Sequence, residues 1–160
     1  MSFNPSSVRA AFTAVAVTAL ALTAIPAFAA LGGSADSINT DGSVLRGILR
    51  GTAFTQYDVQ EIDGGVSTVR EYSTRAGQVF AVTWQGAAPP NLQQVLGDYF
   101  SRLQAASAAA RASEGTSVHR VFHVDESDFV LRSIARMRDF HGVAYIPALV
   151  PEGVAAEQLP

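Results

Sequence analysis

The stretch Val79-Phe80-Ala81-Val82-Thr83-Trp84-Gln85-Gly86 holds the only tryptophan of the chain in a run of apolar and β-branched residues. Side chains alternate across a strand with a period of two. That period puts Phe80, Val82 and Trp84 on one face and Val79, Ala81 and Thr83 on the other. Both faces are apolar or small, the pattern of a strand in the middle of a sheet. Trp84, grouped with Phe80 and Val82, reads as core.

On its N-terminal side, Thr74 to Gln78 with Gly77 forms a short turn, and Val66 to Ser73 forms the preceding strand. Asp63-Gly64-Gly65 supplies residues that tolerate positive φ, so Thr52 to Ile62 is the first strand of a hairpin. On its C-terminal side, Pro89-Pro90-Asn91 ends the sheet pattern and the period changes. Leu92, Val95, Leu96, Tyr99, Phe100 and Leu103 fall at helical spacing, with Gln93, Gln94, Asp98 and Arg102 outside the stripe. Asp98 and Arg102 stand one turn apart and are expected to pair. The alanine-rich run Ala105 to Thr116 extends the helix as a solvent-exposed continuation until Gly115 ends it.

The period of two then returns. Ser117 to Val124 and Phe129 to Arg138 read as strands around an acidic turn, Asp125 to Asp128. Asp139 to Gly142 reads as a second turn and Val143 to Ile146 as a last strand. Pro147, Pro151 and Gly153 stop pairing, and Val154 to Leu159 suits a closing helical turn. Three strands, a helix and three strands with short connections predict an α+β domain: a single antiparallel sheet of about six strands (βββ-α-βββ) packed on one amphipathic helix.

Residues 1–29 have the layout of a secretory signal peptide. One positive charge at Arg9 precedes an uncharged stretch from Ala10 to Ile25 and then Pro26-Ala27-Phe28-Ala29, a small-x-small cleavage pattern after Ala29. That stretch is shorter than the roughly 20 residues a membrane span needs, so the processed chain is expected to be soluble, without stable membrane insertion. Residues 30–51, rich in Gly, Ser, Asp and Thr, read as a flexible lead-in, and residues 52–160 as one domain. The chain has no Cys, which removes any disulfide framework and any lipid anchor on cysteine. It also has no Lys, and without Arg9 its ten Arg face fourteen Asp and Glu, a formal charge of −4. Such an acidic balance argues against nucleic acid as a partner.

VREYSTRAGQVFAVTWQG at 69–86, PNLQQVLGDYF at 90–100 and MRDFHGVAYIPALVPEGV at 137–154 resemble the exported bacterial family known as domain of unknown function 2844. The likeness covers nearly all of the processed chain. It implies export and a single small domain, and it brings no activity, cofactor or catalytic residues with it.

Candidate sites are few. His119 and His123 share a face on a strand or on a helix, but zinc usually takes three or four protein ligands, and only His141 or a carboxylate brought in by the fold could complete a set. No metal or other cofactor is therefore expected. There is no G-x-S-x-G elbow, P-loop or G-x-G-x-x-G motif. Arg132, Arg136 and Arg138 fall on one strand face within about 20 Å. Guanidinium pairs well with carboxylate and phosphate, so these three suit an anionic envelope ligand; the plainer alternative is a solvated face paired with Glu71, Asp125 or Glu126. Tyr72 and Tyr145 are the aromatics expected to be exposed beside them, since Tyr99 belongs to the helix stripe. The expectation is an exported, soluble, non-enzymatic module of the bacterial envelope, periplasmic or secreted, that binds or supports. The alternative is a small envelope hydrolase built around His119, His123 and Asp125.

Overall fold

The computed structural model describes residues 31–35, 45–114 and 120–160; residues 1–29, expected to be a leader, and His119 lie outside them. Seven strands form one antiparallel sheet: β1 (Ile48–Ala53), β2 (Tyr57–Asp63), β3 (Ser67–Thr74), β4 (Val79–Gly86), β5 (Arg120–Asp125), β6 (Val130–Arg136) and β7 (Asp139–Tyr145). The order is β1-β2-β3-β4-β7-β6-β5, so β4 is the central strand, as its two apolar faces require. The chain is an α+β domain with one more strand than its pattern suggests. The additional strand, β1, straddles the end of the expected lead-in and pairs with β2 along its whole length.

The lead-in also contributes at Leu31, which is buried in the core. The Gly32 amide donates to the Val79 carbonyl and the Val79 amide to the Gly33 carbonyl, stitching residues 31–35 to the start of β4.

Strict alternation fails at one point in β4. Tyr72 pairs with Ala81 but Ser73 pairs with Val79, so Phe80 is an extra residue in a β-bulge. Val79 therefore joins Val82 and Trp84 on the helix-facing side. Phe80 joins Ala81 on the other, and Thr83 lies there too, its hydroxyl donating to the Pro160 carbonyl.

The helix-facing core is built from Ile62, Val69, Val82, Trp84, Leu131 and Ala144 of the sheet, packed against the segment after β4. That segment breaks in two: α1 (Leu92–Leu96) is capped by the Asn91 side chain, which accepts from the Gln94 amide, and α2 runs Phe100–Glu114. Between them a 3-10 turn, Gly97–Tyr99, begins at Gly97 with φ 53° and ψ −125°, a backbone state suited to glycine. All six stripe residues still face the core, because the break turns the chain without rotating the stripe away. The second face of the sheet is covered by the C-terminal segment, which follows β7 through the 3-10 turns Pro147–Leu149 and Ala156–Gln158. Its Leu149, Val154, Ala156 and Leu159 pack with Val59, Tyr72, Phe80 and Tyr145.

The β6–β7 connection is Met137-Arg138, with Arg138 at φ 59°, and not Asp139 to Gly142. Gly142 instead sits mid-strand opposite Trp84.

Candidate functional site

Trp84 lies at the floor of a cleft of about 410 Å³ between α2 and the sheet. The sheet side follows from register: Trp84 pairs with Gly142, Gly142 with Ser133 and Ser133 with Phe122, so these positions form one row across β4, β7, β6 and β5. The next row adds Phe140 and Ala135. On the other wall, Phe100, Leu103, Gln104, Ser107 and Arg111 line the cleft from α2, and Pro89 and Leu92 close the end near α1. Helical spacing puts those five α2 residues on one side of the helix.

The start of α2 is clamped to the β5–β6 hairpin. Arg102 donates to both carboxylate oxygens of Asp128 at 2.8 Å and to Glu126 at 2.5 Å, not to Asp98 as the spacing suggests. The same guanidinium lies 5.2 Å from the Tyr99 ring centroid and 5.6 Å from that of Phe129, and these two rings stack at 4.8 Å. The bidentate bond to Asp128 raises the Arg102 pKa further and holds the Asp128 carboxyl below its ordinary range.

Of the residues singled out from sequence, Arg132, Tyr72 and Tyr145 lie on the opposite side of the sheet. Arg132 and Arg136 do share that face, and Arg132 pairs with Glu157 at 3.8 Å. Arg138 does not join them, because the strand ends at Arg136 and Arg138 occupies the turn. Tyr72 and Tyr145, expected to be exposed, are buried by the C-terminal segment. The Tyr72 hydroxyl donates to the Pro160 carbonyl at 2.5 Å and Tyr145 to Glu157 at 3.1 Å. Burial raises the pKa of both phenols, with the Glu157 bond adding to it at Tyr145. Glu71, expected as an arginine partner, is fully buried on the helix-facing side, opposite Val82.

His123 stands 3.8 Å from Asp125 and His141 stands 3.1 Å from Asp139, two separate exposed pairs. Among the described residues no group of three His, Cys, Asp or Glu could hold a metal. A further feature the sequence reading missed is a charged ladder over β1 to β3, with Glu61 bonded by Arg50 at 3.4 Å and by Arg70 at 2.8 Å. Phe122 is legible in the alternation of the expected strand Ser117 to Val124, whereas Phe140 falls in a stretch whose pattern reads as a turn and joins the cleft only because β7 begins at Asp139. Arg111 was passed over inside the alanine-rich run.

Fold and cleft together define a small single-sheet α+β module with an apolar recess under its helix. The family model described as "Protein of unknown function (DUF2844)" matches residues 27–159, and the chain belongs to that family. No curated protein and no solved structure matches it. No helix among the described residues is long and apolar enough to cross a membrane.

Proposed function

We propose that this chain is an exported, non-enzymatic binding module of the bacterial envelope, periplasmic or secreted, that holds a small, largely apolar ligand in the Trp84 cleft. The observation that carries the reading is the cleft itself. Its volume of about 410 Å³ falls in the range of small-molecule sites, about 300–1,000 Å³, and its wall of aromatic and aliphatic groups with a few polar ones is the usual lining of such sites. The polar lining consists of Gln104, Ser107, Arg111 and Ser133. Among the described residues it supplies neither carboxylate nor imidazole for proton transfer, which favours holding a molecule over cleaving it. The leader-like residues 1–29 are the ground for export.

Trp84 is the only tryptophan, so intrinsic fluorescence reports on the cleft directly. The full chain, purified from the compartment where it accumulates, is titrated with 1-dodecanol below its solubility limit. A saturable change in emission, lost in a Ser107→Leu variant that fills the cleft, supports the reading. No saturable change rejects it. Sequencing of the purified protein is expected to begin at Ala30; a start at Met1 would overturn export by cleavage.

A further inference from the structure

We propose that the ligand of this cleft is a single-chain amphiphile with a carboxylate head, its apolar chain lying over Trp84 and its head at Arg111; this rests on the binding reading above. The α2 wall is graded along its length. Phe100 and Leu103 come first, Gln104 and Ser107 follow, and Arg111 ends the series in the last turn of the helix. The sheet wall opposite is apolar at Trp84, Phe122, Ala135 and Phe140. A ligand matched to this lining has one apolar end and one hydrogen-bonding, negatively charged end.

Arg111 is available for that role. Arg50, Arg70, Arg75, Arg102 and Arg132 each have a carboxylate partner; among the described residues no ion pair engages Arg111, Arg46, Arg136 or Arg138, and of these four only Arg111 lines the cleft. A single guanidinium fork matches one carboxylate in charge and geometry; a doubly charged phosphate monoester would be left half neutralised. Arg111 also lies where a cation favours the negative end of a helix, so the test must separate stability from recognition.

Trp84 emission is followed while the full chain is titrated, below micelle formation, with dodecanoate, 1-dodecanol and dodecyltrimethylammonium. Dodecanoate is expected to bind about 5-fold more tightly than dodecanol, the factor matching an exposed ion pair near the upper end of its usual strength, and the cationic probe most weakly. Arg111→Gln is expected to abolish the preference for dodecanoate over dodecanol, and Arg111→Lys to restore part of it. A purely structural role for Arg111 would instead lower the unfolding midpoint of Arg111→Gln and leave the preference intact. Equal affinity for dodecanoate and dodecanol in the unaltered protein, or a preference that survives Arg111→Gln, overturns the assignment of the head group while the cleft stands. Failure of all three probes to bind, including in the presence of a stable fold, removes the cleft reading as well.

Discussion

The indole of Trp84 lies against Gly142, its register partner on β7, so closely that a Cβ at position 142 would overlap Cζ2 and Cε2 of the ring. The same Cβ would stand 2.7 Å from the Arg132 carbonyl oxygen. A glycine that weakens a strand on propensity grounds is here what lets the sheet accept its largest side chain.

Gly142→Ala is therefore expected to destabilise the fold by about 1–3 kcal/mol, the usual cost of inserting a methyl group into a packed site. Urea unfolding followed by far-ultraviolet circular dichroism checks the magnitude, and the Trp84 near-ultraviolet band should change shape. An unchanged midpoint with an unchanged band would show that the ring does not rest on Gly142.

Acid should loosen the clamp between α2 and the β5–β6 hairpin. The Asp128 carboxyl is held below its ordinary range, chiefly by the bond from Arg102, so its contribution to stability is present above the unfolded-state pKa and is lost as pH falls through the lower, folded-state value. Stability of the unaltered protein should fall on acidification through that window. Arg102→Gln should be less stable near neutrality and lose less on acidification; parallel pH profiles for the two proteins would reject the linkage.

Alkali should act on the opposite face. Tyr72 is buried and its pKa is raised from 10.0, mainly by desolvation, so the neutral phenol's contribution is complete below the unfolded-state pKa and is lost as pH rises through the folded-state value. The protein should lose stability above about pH 10, and Tyr72→Phe should lose less over the same range. Near neutrality Tyr72→Phe is expected to cost about 0.5–1.5 kcal/mol, since it removes the bond to the Pro160 carbonyl while Thr83 still donates to that oxygen. Thermal unfolding across pH 7 to 11 measures both effects.

Much of this fold can be read from local pattern, because β4 carries its centrality in its own composition and the stripe from Leu92 to Leu103 carries the helix. What escapes the pattern depends on partners distant in sequence. The bulge at Phe80 is set by pairing with β3 and reverses the side on which Val79 and Phe80 point. Gly142 resembles a turn residue until Trp84 is placed opposite it. Tyr72 and Tyr145 look free until the C-terminal segment covers them, and β1 has no internal alternation of burial, all six of its residues being exposed. The cleft escapes for the same reason. Its walls come from α2 and from four strands, and only the gradient from Phe100 to Arg111 is contained in one segment.

The strand order carries a kinetic consequence. Strands β1 to β4 and β5 to β7 are two local meanders that meet only where β4 pairs with β7, joining Ala81 to Tyr145 across the intervening helices. Local meanders close early, and such distant pairing carries the larger chain-entropy penalty and forms late. The Trp84 cleft spans that seam, with Trp84 and Leu92 on one side and Phe122, Ser133 and Phe140 on the other. A molecule lodged there would bridge the two halves of the chain, so occupancy would slow unfolding more than it speeds folding and would lengthen the lifetime of the folded protein.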